Sequence, residues 1–398
     1  MIEANRHVDL EMVKELIEGA IDSRRLRVGR ERQMCVARGE KPDYAPLMLG
    51  HPYQTLAGSK EIRCYKLGDH HLMVGGARVP EIADYPHFSF AQQILSPEIM
   101  LYEAFWDLLS WARTPDDGQL SVRPNLCFVL GTSFGMEYEA GEDGSAWFNK
   151  PVDLDHALQT DLSDLRNLGQ VPLVLEHIHF FRENLPAEVH IALPAALGPI
   201  NQADAILGTD MWEKFYDAPE KMHTLMDKIT DAIIEFRRLC QEAAQSSTDT
   251  YIGPLYLPFD CAKIGNDAMV MMSPKMFTEF VQPYTAKLCQ AFGGGLHHSC
   301  GFYPDYLSLI CDTPGIKIVN FGEPRLWDME KTVAQIHQTG NLYHGGWYRE
   351  AGEPLEDYLR RGLAICGPDK NQAILFAMGE GPWPPPAETM DMWYRLQN

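Results

Sequence analysis

The chain has 398 residues, 45% of them apolar and 10% aromatic, enough to bury a large core as one big α/β barrel or as two smaller domains. Its 34 basic against 55 acidic residues leave a formal charge of −21, which repels a phosphate backbone over most of the surface and argues against nucleic acid as a partner. No run reaches the roughly 18 apolar residues of a membrane helix, and the opening MIEANRHVDLEM lacks the basic-then-apolar order of a signal peptide.

A cytoplasmic protein is therefore expected. The nine cysteines (35, 64, 127, 240, 261, 289, 300, 311 and 366) are odd in number and scattered, which reads as reduced thiols rather than a disulfide framework. No repeat, low-complexity tract or Gly/Ser linker divides the chain. The reading is one compact unit over residues 31–398, preceded by an N-terminal helical extension over 1–30.

In chain order, VLEHIHFF (174–181) alternates and is read as a strand, with His177 and His179 as candidate substrate contacts. The clearest helix covers about 219–244, opening with Pro219 and carrying Met222, Leu225, Met226, Ile229, Ile233, Phe236 and Cys240 at helical spacing. Five short apolar runs of strand character follow, at 251–257, 294–297, 316–321, 341–343 and 373–377. Amphipathic stretches at 273–290, 327–338 and 355–364 separate them. Strands that are apolar throughout, alternating with helices, point to a parallel sheet covered by helices.

Barrel and doubly wound sheet are separated by where the polar residues fall. Each run is followed by a side chain able to do chemistry: Asp260, then His298 and Cys300, then Glu323, His344 and Glu380. A closed (β/α)8 barrel gathers all strand ends at one mouth, whereas a doubly wound sheet converges only two or three. The expected fold is thus a single (β/α)8 TIM barrel.

The sharpest local signal is LHHSCG (296–301). His298 and Cys300, two positions apart at a strand end, offer the nitrogen and sulfur donors that Zn2+ prefers. Glu323 lies one βα unit later and Glu380 follows a further strand, so both are candidate ligands. Asp260 and Asp267, in LPFDCAKIGND, are candidates for substrate binding or for orienting a ligand, with plain turn formation as the alternative. His344 is a further catalytic candidate, set in LYHGG beside Tyr343, a candidate substrate contact; the two glycines would let a ligand approach the backbone.

Several segments, in order along nearly the whole chain, resemble the uroporphyrinogen decarboxylase superfamily: GEKPDYAPLM, ALGPI, DAPEKMHTLMDKITDAI, MSPKMFTEFVQPY, GGLHHSCG and IVNFGEP. The resemblance implies a TIM barrel. The H-x-C-G motif is similar to that of its corrinoid-linked methyltransferases, and this implies zinc on His298 and Cys300. The spacing to Glu323 resembles that of the more distant cobalamin-independent methionine synthases. The arginine-rich R-Q-A-G-R loop of porphyrinogen decarboxylases has no counterpart, since that position reads LMLGHPYQTL. Where coenzyme M enzymes carry a third zinc cysteine in P-G-C-G, this chain reads FAMGEGP, which puts Glu380 in its place and a thiol acceptor in question.

The resemblance therefore implies a zinc-dependent enzyme moving a methyl group between a small substrate and a corrinoid. No D-x-H-x-x-G segment is present, so the cobalamin is expected on a partner corrinoid protein or free. The rival readings are a metal-free tetrapyrrole decarboxylase using Asp260 or Asp267, and a non-catalytic corrinoid- or ligand-binding barrel. A homodimer is compatible with all three.

Overall fold

Eight parallel strands carry the architecture in the computed structural model, which describes residues 9–49, 64–67, 70–73, 88–126, 128–140, 146–194, 197–246, 249–379 and 383–398. They are β1 (Leu47–Met48), β2 (Ser121–Val122), β3 (His190–Ile191), β4 (Ala262–Gly265), β5 (Gly295–Ser299), β6 (Ile316–Phe321), β7 (Leu342–Arg349) and β8 (Ala373–Gly379). Six form one sheet in the order β1-β8-β7-β6-β5-β4, and β2 pairs with β3. A single parallel bridge, Leu197 to Gly265, links the segment after β3 to β4, with the Gly198 amide donating to the Gly265 carbonyl at 2.8 Å. Between β2 and β1 the link is the Asp117 amide donating to the Leu47 carbonyl at 3.0 Å.

The architecture is α/β and barrel-like. Among the described residues the ladders do not run unbroken round eight strands, so the sheet stops short of the closed barrel expected from the sequence. No helix of the described residues is long and apolar enough to cross a membrane.

The helix at Pro219–Ala244 falls where its period placed it, and all seven of its named apolar positions are buried. It packs on the helix Val171–Asn184 and on Gln282–Ala291. At the N-terminus, helices α1 (Leu10–Ala20) and α2 (Ser23–Ala37) precede β1, and residue 30 lies inside the second.

Two stretches read as strands are not strands of this sheet. Residues 174–181 belong to the helix Val171–Asn184, because Val171, Val174, Leu175, Ile178 and Phe181 bury one face at the 3.6-residue period, and Pro172 sits in its first turn. Residues 251–257 form an antiparallel hairpin, Thr250–Ile252 with Leu255–Leu257. Its Leu255 and Leu257 pack with Met48, Leu296, Ile318, Leu342 and Ile374 as a plug at the amino ends of the strands.

Strand alternation then sorts the side chains. In β4, Ala262 and Ile264 join the core under the helices, so Lys263 and Gly265 face the interior. Leu296 of β5 and Ile318 of β6 lie in the interior plug, so His298 and Asn320, two positions on, share that face nearer the carboxyl ends. His344 of β7 follows Leu342 in the same way.

The seam between β1 and β2 is held by side chains in place of a ladder. The Asp117 carboxylate accepts from the Leu47 amide at 3.0 Å and from the Arg32 guanidinium at 2.8 Å, and Asp116 accepts from the Leu49 amide at 2.7 Å. Gly29 of α2 is required here, since a Cβ would stand 2.4 Å from the Asp117 carbonyl oxygen. Removing Asp117 leaves the buried Leu47 amide without its acceptor and takes from Arg32 one of its two carboxylate partners, the other being Asp43. Asp117→Ala is therefore expected to lower unfolding free energy by about 2–3 kcal/mol, measured by denaturant titration; a loss below about 1 kcal/mol, the range of an exposed pair, would refute the seam's role.

Candidate metal centre

Three donors meet at the carboxyl ends of β4 and β5. Asp267, His298 and Cys300 each place one ligand atom within 4.8 Å of the others. The His298 Nε2 lies 3.2 Å from the Cys300 sulfur and 3.9 Å from an Asp267 oxygen. Bonds of about 2.0 Å to nitrogen and about 2.3 Å to sulfur at tetrahedral angles imply an N···S separation of roughly 3.5 Å. The residues present thus fit a divalent ion of the zinc class without large movement.

The surrounding hydrogen bonds favour the same role. His298 Nδ1 donates to Asn320 Oδ1 at 2.5 Å, and the Asn320 amide group donates in turn to the His344 carbonyl at 2.5 Å. That chain fixes the amide orientation and leaves Nε2 as the lone-pair nitrogen beside Cys300. Asp267 accepts from the Cys300 amide at 2.6 Å and from the Asn201 side chain at 3.0 Å. Gly322 allows the turn after β6 to lie against this loop, because a Cβ there would be 2.5 Å from the Cys300 Cα.

Electrostatics sets the protonation of these residues. Burial, then the charge of Asp267 and its hydrogen bond, then the charge of Glu323, push the Cys300 thiol up to about 12, with Lys263 opposing. A bound cation reverses this balance, since thiolate is the ligand form. Burial, with the charge of Arg123, pushes the Lys263 ammonium down to about 8. His344 is pushed down to about 4, mainly by burial, and its Nδ1 donates to the Ile374 carbonyl at 3.0 Å; it is a neutral ring on the interior wall.

The sequence candidates divide accordingly. His298 and Cys300 come together, and Asp267, read as a substrate or orienting residue, joins them. Glu323 is close enough for its charge to bear on Cys300 but stands outside the tight group found among the described residues. Glu380 lies outside the described residues, as does LMLGHPYQTL beyond residue 49.

Four candidates are corrected. Asp260 precedes β4 at the amino end, away from the mouth, and its carboxylate is taken up by Arg237 at 2.6 Å and Gln241 at 2.8 Å. His177 is buried within its helix, bonded to the carbonyls of Leu173 and Gln93, and His179 is exposed on the outer surface. Tyr343 faces the helix layer, packed on Phe321, with its hydroxyl donating to the Gly346 carbonyl. The glycines beside His344 make room for their own neighbours: a Cβ on Gly345 would meet the Tyr343 hydroxyl at 2.3 Å, and one on Gly346 the Met378 sulfur at 2.1 Å.

Asn201 and Asn320 were not singled out from the sequence. The available signal was weak, a polar residue inside the apolar run IKIVNF and another just after the ALGPI turn. A cavity of about 360 Å3 elsewhere is lined by Arg182, His190, Arg237 and Tyr251. Its histidine is stacked on Tyr251 and accepts from Arg30, and burial with the Arg30 charge pushes it down to about 4, so it is a packed ring remote from the donors.

Two measurements follow. Asn320→Ala should weaken zinc binding about 10- to 100-fold while leaving the unfolding midpoint of metal-free protein nearly unchanged; calorimetric titration decides, and unaltered affinity removes Asn320 from the site. Zinc affinity should also rise with pH, roughly tenfold per unit between pH 7 and 9, because the high-lying Cys300 thiol must lose its proton to bind. An affinity flat across that range would exclude the thiol as a ligand.

Comparison with known proteins gives the family and the fold. The family model for uroporphyrinogen decarboxylase (URO-D) matches residues 123–385, about two thirds of the chain. No curated protein matches the sequence. Among solved structures, a methyltransferase from Methanosarcina mazei superposes with a TM-score of 0.61 at 19% identity, over 93% of this chain and 98% of that one. That likeness is one of fold.

Proposed function

From the premise that the chain belongs to the uroporphyrinogen decarboxylase family, we propose that it is a zinc-dependent methyltransferase, exchanging a methyl group between a small substrate and a corrinoid carried by a partner protein. The observation that carries the reading is the meeting of imidazole, thiol and carboxylate at the strand ends. A decarboxylase working without a metal has no use for a cysteine held against a histidine there. The name and fold of the Methanosarcina mazei neighbour point the same way.

His298, Cys300 and Asp267 would hold the ion, with Glu323 or Glu380 available to complete or exchange a position. When bound, zinc supplies Lewis acidity that lowers the pKa of a coordinated substrate heteroatom and makes it a nucleophile or a leaving group near neutral pH. The chain's own residues do the positioning. Asn320 holds the His298 ring in one tautomer, and Asn201 and the Cys300 amide hold the Asp267 carboxylate. Neutral His344 and the apolar plug beneath close the interior behind the site.

Around the same end, Met271, Phe302 and Leu326 are 73%, 52% and 55% exposed on the turns after β4, β5 and β6. Exposed apolar side chains rimming a polar site suit a macromolecular partner. That supports a carrier protein as the source of the corrinoid.

The test is methyl exchange with methylcob(III)alamin and a panel of small thiols, phenols and their methyl ethers, followed by the corrinoid absorbance. Zinc-loaded protein should support exchange, and Cys300→Ser should reduce it by roughly 100-fold or more, beyond the loss of an outer partner. Exchange that survives both zinc removal and Cys300→Ser would defeat the proposal.

A further inference from the structure

Lys263 carries an amine on the inner wall that nothing in the described structure ties down. It sits in β4 between Ala262 and Ile264, both turned to the helices, and pairs in register with Leu296 of the interior plug. Two residues further on in β5, His298 is level with Gly265, so the lysine lies one layer below the metal donors. Among the described residues no carboxylate lies within ion-pair distance of its nitrogen and no hydrogen bond holds it. The residue is half-buried, so the interior beside it admits a small molecule.

Such a position favours the uncharged amine. Burial, with the charge of Arg123, brings the ammonium down to about 8 against the opposing charges of Asp267 and Cys300. At pH 7 roughly a tenth of the amine is then neutral, against fewer than about one in a thousand for an ordinary lysine. A divalent ion on the donor trio tilts the balance further. Cys300 thiolate and Asp267 carboxylate cancel its two charges, yet an ammonium still places a like charge beside the ion where an anion would place an opposite one.

We propose that Lys263 is a carbamylation site, where carbon dioxide adds to the side-chain amine and the resulting carbamate supplies an anionic oxygen donor beneath His298, Cys300 and Asp267. This rests on the reading of the donor trio as a metal centre and extends its ligand set with a group the sequence does not encode. The step needs no oxidant or reductant: the Nζ lone pair bonds to the carbon of carbon dioxide, one C=O electron pair moves onto oxygen, and an Nζ proton leaves to water. The side chain changes from a cation to a donor of the carboxylate kind that zinc accepts. Because a carbamate reverts when it is protonated, the ion that holds it anionic also preserves it. Carbon dioxide and zinc therefore strengthen each other's binding by the same factor.

The test is 13C NMR of zinc-loaded protein made with 15N-lysine and equilibrated with 13C-bicarbonate. A carbamate resonance split by a lysine nitrogen should appear at close to one per chain, and the splitting separates it from a carbamate on the chain's α-amine. Lys263→Arg, which keeps the charge and does not carbamylate, should lose the resonance, as should Lys263→Gln. In calorimetric titrations, bicarbonate should tighten zinc binding at least about 10-fold, the value of an outer partner, and neither variant should respond. Zinc-binding protein with no lysine-split resonance, a resonance that survives both substitutions, or a bicarbonate effect that persists in both would overturn the inference and leave the functional reading in place. Failure to bind zinc counts against the functional reading. The resonance is then sought in metal-free protein, and its absence there overturns the inference as well.

Discussion

The hydrogen bond from the Cys300 amide to the Asp267 carboxylate, 2.6 Å long, ties together two strand ends 33 residues apart in sequence. The Asn201 side chain donates to the other carboxylate oxygen at 3.0 Å, so Asp267 is held from both sides. Three donors of different hardness are thereby held within 4.8 Å. The geometry depends in turn on β4 and β5 running parallel and in register, Gly265 against His298, so that both chains leave the sheet at the same level.

That register is secured by layers. The amino ends are stoppered by an aliphatic plug contributed by alternate residues of several strands and by the 250–257 hairpin. Lys263 stands level with the plug residue Leu296, and above it His298 stands level with Asn320, with Asp267 and Cys300 just beyond the strand ends. An interior that passes from apolar to polar along the strand direction is what (β/α) barrels present at their functional end. The acidic pair Asp116 and Asp117 does for the β1–β2 seam what a backbone ladder does elsewhere, with buried carboxylates accepting the amides of Leu47 and Leu49.

Much of this was legible beforehand, for physical reasons that also mark where legibility ends. Buried parallel strands and long amphipathic helices advertise themselves by period, which is why the starts of β5 to β8 and the helix Pro219–Ala244 were placed closely, although β7, read as 341–343, runs on to Arg349. His298 and Cys300 share a strand end by spacing alone. Residues 174–181 misled because E-H-I-H alternates locally while the wider pattern is helical, and a window of four cannot separate the two. Residues 251–257 misled because a hairpin plugging a barrel floor is as apolar as a parallel strand, and Asp260 was carried to the wrong end with it. Asp267 was seen but underrated, since its partnership with Cys300 is a contact between strands, and Asn320 was hidden as one polar letter in a strand. Lys263 stood in the quoted segment LPFDCAKIGND, yet only the inward turn of β4 gives it meaning.

The most direct test of the central claim is diffraction from zinc-soaked crystals at energies on either side of the zinc absorption edge. The account predicts one strong anomalous peak about 2.0 Å from His298 Nε2 and about 2.3 Å from the Cys300 sulfur, within bonding reach of an Asp267 oxygen. A peak elsewhere, or none at these side chains in protein that otherwise diffracts well, would contradict it.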